Sequence, residues 1–226
     1  MWVPVVAMFI CLVTAGWFYF QSRSEIGSFA APVPASTMGT PSQTATESGK
    51  AAPKTASPPA TLVIPMVPVQ IFIPTIGVNT KVVAKPTVYH IWDAWLGRKV
   101  DQFGVPRDMF TVAWWSSGPK PGSADGAMAV LLGHTEIGGY GVFNDLGRLK
   151  IGEPITLESK DRKVLRFEVV GVKPGISKTD PAALQGILTH PPTGARLALI
   201  TCSGAVSGPQ QSRKDNTVVF AGLATS

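Results

Sequence analysis

Acyl transfer by a thiol needs a sulfur nucleophile, an imidazole to carry protons and a cation or N–H donors for the oxyanion. Three residues of this chain have those types at positions where strands end. Cys202 closes the apolar run "LALITCSG", His134 closes the apolar run "AMAVLLGH", and Arg213 opens the last one, "RKDNTVVFAG". Taken singly, each has a plainer reading. A cysteine is commonly a small inert hydrophobe, a histidine after glycine a loop residue, and an arginine at a strand start a solvated cation. The other histidines, His90 in "VYHIWDAW" and His190 in "THPPTG", end no buried strand. The order also matters: papain-like enzymes run Cys then His, whereas here His134 precedes Cys202. The only other cysteine, Cys11, lies in an N-terminal apolar run. The two are not expected to meet, so Cys202 is expected to be a free thiol.

These residues need rigid elements to hold them, and the pattern supplies short strands. "VQIFIPTIGVNTKVV" reads as a strand interrupted at Pro74 and Gly77 and then resumed. "EPITLESKDRKVLRFEVVGV" reads as a hairpin about the polar turn "SKDR", with Leu165, Phe167 and Val169 alternating against Arg166 and Glu168. "RLALITC" and "NTVVFAGL" add two buried strands. Asp180-Pro181 caps a short helix, and "YGVFNDL" fits a turn or two. Frequent strands with 20 prolines and 23 glycines indicate an all-β domain, closed or nearly closed into a barrel. If the last two strands are neighbours, Arg213 should return to the level of Cys202.

The first sixty residues are of another kind. Val3 to Phe20 carries no charge and as a helix is about 27 Å long, nearly a hydrocarbon core. Trp17 and Tyr19 lie at its far end, where aromatic residues favour the bilayer interface. A cleaved signal peptide would have a shorter apolar region, a basic start and a clear small-residue cleavage site. Residues 1–20 therefore read as an uncleaved membrane anchor. Residues 21–61 lack the large apolar side chains that offset ordering entropy and read as a disordered tether, with a reach of roughly 35 Å. Residues 62–226 form the folded domain. The net charge of +6 suits an anionic surface or simple solubility. No nucleic-acid motif is present, and no carboxylates have calcium-loop spacing. No metal or cofactor is expected.

With these residues in view, the chain resembles the sortases, membrane-anchored cysteine transpeptidases of Gram-positive cell surfaces. The resemblance runs through "VQIFIPTIGV", "WWSSGPKPGSADGAMAVLLGHTEIGGYGVFNDLGRLKIGEPITL", "LALITCSG" and "RKDNTVVFAG". "WWSSGPKPG" and "GGYGVF" are most similar to class F, with class E close behind. The family's Thr-Leu-x-Thr-Cys pattern is present as Ala198 to Cys202, without the first threonine. The resemblance implies a sortase-like β-barrel of about eight strands with short helices, and a catalytic set of His134, Cys202 and Arg213. Lys214, beside Arg213, is read as a solvated neighbour.

It further implies that Cys202 attacks the Thr–Gly bond of a Leu-Pro-x-Thr-Gly-like sorting signal while His134 protonates the departing amine. Arg213 would donate to the oxyanion or to peptide carbonyls. An amine, on a peptidoglycan precursor or another acceptor, would then resolve the thioester with His134 as base. Surface proteins bearing a C-terminal sorting signal are the implied partners, and the catalytic domain is placed outside a single-pass membrane anchor. Two other classes fit the same residues: a non-catalytic anchored β-module that binds peptides, and a thiol hydrolase of cell-wall peptides. Alkylation of Cys202 discriminates the first, and product analysis with and without an added amine the second.

Overall fold

The computed structural model describes residues 63–123, 127–207 and 212–224 of the chain. The expected anchor (1–20) and tether (21–61) lie outside the described residues. Among the described residues no helix is long and apolar enough to cross a membrane.

Ten strands follow in order: β1 (Pro68–Ile73), β2 (Val78–Lys85), β3 (Val88–Asp93), β4 (Arg98–Gln102), β5 (Val112–Trp115), β6 (Ala129–Leu132), β7 (Pro154–Ser159), β8 (Val164–Ser177), β9 (Ala195–Val206) and β10 (Arg213–Leu223). Eight close into a barrel in the order β1-β2-β5-β6-β9-β10-β8-β7, and β3 and β4 pair separately. Two barrel pairs are parallel, β2 with β5 and β6 with β9. The all-β barrel expected from the strand pattern is therefore what forms.

The local signals explain most elements. Pro74 to Ile76 is a single 3-10 turn closed by Gly77 at φ 65°, a left-handed conformation that glycine adopts without a Cβ clash. It reverses the chain, so the interrupted strand is an antiparallel hairpin, β1 on β2, with Ile73 opposite Val78. The "SKDR" hairpin forms as β7 on β8. Helix α1 (Pro181–Thr189) starts where Asp180 Oδ1 accepts from the Ala182 N–H at 2.9 Å, with proline in its first turn.

Burial explains why β6, β9 and β10 read as continuous apolar runs. Alternate residues face opposite sides of a sheet. Leu131, Leu197, Leu199, Val219 and Ala221 pack with Ile71, Leu157 and Phe167 in one cluster, which fills the barrel. The residues between them, Leu132, Ala198, Ile200, Val218 and Phe220, pack with Phe103, Trp115 and Leu184 in a second cluster on the outer face. Helix α1 and the segment after β4 supply its cover. Strands covered on both faces have no polar side to show.

Candidate active site

The parallel ladder brings the end of β6 against the body of β9; Cys202 lies within β9, which runs on to Val206, so it ends the apolar run but not the strand. Leu132 on β6 is level with Ile200 on β9. Beyond the strand end, Gly133 N–H donates to Ile200 O at 3.1 Å, and the Thr201 hydroxyl donates to Gly133 O at 2.8 Å. The Thr135 hydroxyl donates to Cys202 O at 3.1 Å. These bonds carry the register two residues further and set His134 beside Cys202 on the outer face. Both side chains are buried, 4% and 2% exposed, and both line one small cleft with Val105, Pro106, Leu132, Gly133 and Thr201.

The loop after β6 is built to hold His134. A Cβ at Gly133 would strike the Phe143 ring, so only glycine fits there. Phe143 N–H donates to His134 O at 3.0 Å. Asn144 clamps the loop from within: its Oδ1 accepts from Glu136 N–H at 2.8 Å and its Nδ2 donates to Gly139 O at 2.9 Å. The "GGYGVF" motif is thus the closure of the histidine loop. His134 Nε2 lies 2.9 Å from Pro106 O. A carbonyl only accepts, so Nε2 carries the hydrogen and Nδ1 is the proton-accepting nitrogen of the neutral ring. Asp108 sits nearby. Burial disfavours its charge, but N–H bonds from Phe110 and Thr111, the Thr111 hydroxyl and the charge of His134 together hold its carboxyl below the usual range. Glu136 is exposed on this loop.

Arg213 differs from expectation. β9 and β10 do pair, but Asn216 is the residue opposite Cys202, and Arg213 lies opposite Val206. The register shifts between Arg213 and Asp215: Lys214 alone on β10 faces both Gly204 and Ala205 on β9, so the extra residue is a β-bulge on β9 at Gly204, whose φ is 77°. Arg213 Nη1 donates to Gly204 O at 2.9 Å, while its Nε is buried without a hydrogen-bond partner. Lys214 is exposed, as expected. His90 and His190 are also exposed and belong to other surfaces.

The sulfur of Cys202 is disulfide-bonded in this structure, and no described cysteine is free. The expectation of a free thiol is corrected on this point. It rested on sequence separation, which does not bound the distance between two residues in space. Cys11 lies outside the described residues.

One residue at the site was missed. Lys178, between β8 and α1, is 5% exposed, and its Nζ donates to Cys202 Sγ at 3.2 Å and to Arg213 O at 2.7 Å. Its own N–H donates to Lys214 O at 3.1 Å. The Trp95 ring centroid is 6.0 Å from Nζ, and Trp95 Nε1 donates to the Ser212 hydroxyl at 3.0 Å. Burial pushes the Lys178 amine down to about 8, against the raising effect of Asp93 and Asp215, with Arg213 also lowering it. A lysine inside the polar run "SKTD" carries no periodic signal. Its burial comes from the β3–β4 hairpin and β10 folding over it.

A model of the sortase domain family matches residues 71–224. No curated protein sequence matches the chain. Among solved structures, sortase A from Corynebacterium diphtheriae is similar at 18% identity and TM-score 0.46, over 72% of this chain and 63% of that one. Sortase C-1 from Actinomyces oris is similar at 20% identity and TM-score 0.44, over 71% of this chain and 76% of that one.

Proposed function

Since the chain belongs to the sortase family of cysteine transpeptidases, we propose that it cleaves a Leu-Pro-x-Thr-Gly-like sorting signal between Thr and Gly and passes the acyl group to a cell-wall amine. The observation that carries the reading is the shared cleft of His134 and Cys202, set level by the parallel β6–β9 ladder.

In the proposed cycle the Cys202 thiolate adds to the threonyl carbonyl. The tetrahedral oxyanion collapses as His134, acting as the imidazolium, gives a proton to the departing glycyl amine and becomes the neutral ring, leaving a thioester on Cys202. The incoming amine adds to that thioester, His134 takes its proton, and the sulfur leaves as thiolate. Arg213 is assigned to the substrate carbonyls. Its buried Nε has an unused N–H, and unsatisfied buried donors are costly unless a ligand fills them. The same proposal makes it a class F enzyme, with class E the near alternative, held by residues 1–20 at the membrane of a Gram-positive cell with its catalytic domain outside.

The test is mass spectrometry of the reduced enzyme with a sorting-signal peptide, with and without an added amine. A thioester at Cys202, and a product carrying the amine, are expected. A product formed only with water, whatever the amine concentration, would replace transfer by hydrolysis. No adduct at Cys202 at all would leave a peptide-binding module.

A further inference from the structure

A thiolate buried among apolar side chains is costly unless a positive charge accompanies it. Arg213 is placed poorly for that task. Its Nη1 is engaged with Gly204 O, and its backbone is level with Val206 rather than Cys202. The cation in contact with the sulfur is Lys178, whose Nζ is 3.2 Å from Cys202 Sγ. The amine is held there from two sides. Its Nζ is hydrogen-bonded to Arg213 O at the start of β10, and its backbone N–H to Lys214 O. The Trp95 ring stands over it from the β3–β4 hairpin.

We propose that Lys178 is a catalytic residue whose amine takes the Cys202 thiol proton and, as the ammonium, holds the sulfur as a thiolate. This rests on the transpeptidase reading for its purpose, though the proton transfer itself needs no substrate. The step balances within the pair: the S–H bond breaks, an N–H bond forms, and thiol plus amine become thiolate plus ammonium. When the sulfur adds to the carbonyl its charge moves to the oxyanion, and collapse leaves an uncharged thioester beside the ammonium. His134 enters the cycle as the imidazolium, its second proton taken from solvent; it gives that proton to the departing amine and regains one from the incoming amine. The division of labour suits the geometry, since His134 reaches Cys202 from the end of β6 and Lys178 from the end of β8.

The disulfide sulfur, divalent and uncharged, stands in for the acylated state rather than the thiolate. In that state the groups acting on Lys178 are Asp93 at the end of β3 and Asp215 and Arg213 on β10, and the amine sits near 8. A reduced and ionised Cys202 adds a negative charge and raises the amine further.

The test uses the full chain, reduced, with the rate of alkylation at the Cys202 peptide followed by mass spectrometry across pH. Lys178→Met is expected to move the midpoint up by about one pH unit and to slow alkylation near neutrality roughly ten-fold. Lys178→Arg, which keeps a cation, is expected to recover most of that loss. An unchanged midpoint in Lys178→Met overturns the proposal. Should that variant fail to fold, the ¹³Cε resonance of Lys178 is titrated in the reduced wild type and in Cys202→Ala. A lower amine pKa in Cys202→Ala supports the ion pair, and equal values overturn it. Alkylation needs no sorting signal. A shifted midpoint without any thioester from the peptide therefore defeats the transpeptidase reading alone, and a thioester with an unshifted midpoint defeats this one alone.

Discussion

Cys202 and Arg213 make different demands on a variant. Cys202→Ala removes the nucleophile, so thioester formation should be abolished in a reduced-enzyme assay, with stability lowered by about 1 kcal/mol at most. Cys202→Ser should be nearly as inactive, because an alkoxide is far harder to form than a thiolate. Turnover by the alanine variant would exclude covalent catalysis at this position. In the proposed cycle Arg213 acts on charge that develops during reaction, so Arg213→Ala should lower kcat more than it raises KM, by roughly a hundred- to a thousand-fold. Arg213→Lys loses the planar fork and should recover only part of this. Exposed Lys214 is the internal control: Lys214→Ala should leave kcat near wild type. If the two effects are reversed, the cation that serves the substrate is Lys214, the residue that faces the β9 bulge.

Among the elements, the histidine loop is held by packing that one methyl group would disturb. Gly133→Ala puts a Cβ into the Phe143 ring, which either displaces the ring from the barrel or lifts His134 from the cleft. Overpacking of this kind costs typically 1–3 kcal/mol, and kcat should fall with it. Gly147→Ala is the comparison, because its Cβ would sit at an ordinary 3.6 Å from Thr217, and thermal melts of the two should differ accordingly. The elements legible in the sequence are those whose apolar pattern is strong, namely β1, β2, β6, β7, β8, β9 and β10. The β3–β4 hairpin was not legible. Most of β3 is exposed, so its side chains show no buried face, and His90 within it has φ 56°. The site was half legible for the same reason. Cys202 and His134 end apolar runs and can be seen from them. Lys178 owes its place to contacts made by distant segments, and the level of Arg213 depends on a bulge that no local pattern marks.

For the molecule as a whole, the barrel is complete in residues that begin near β1. Its closing pair is β1 with β7, so no strand earlier in the chain is needed. Deleting residues 1–61 should leave a cooperatively folding, active domain, and loss of the β-sheet circular dichroism signal in that truncation would show the boundary to be wrong. The buried amine gives the whole fold a pH dependence. Lys178 sits near 8 when folded against an ordinary 10.5, so between those values the unfolded chain binds the extra proton. Stability from this group should therefore rise with pH across that window, by roughly 3 kcal/mol in full. The Cys202→Ala background removes thiolate and thiol exchange from the measurement. Urea midpoints there should rise between about pH 7.5 and pH 10 more than in the same background with Lys178→Met added. Equal rises would mean that the amine is not perturbed in the folded state.

The parallel pairing of β6 with β9 also bears on when reactivity arises. Between Leu132 and its partner Ile200 lie β7, β8 and α1, and a parallel pair cannot form through a tight turn. The sulfur gains its imidazole only through a long loop closure, and such contacts form late and slowly. In the proposed cycle, Cys202 of a chain still folding lacks the imidazole that serves the departing and incoming amines. Its capacity to cut and join peptides arrives with the last non-local contacts, so a partly folded chain cannot react as the finished enzyme does.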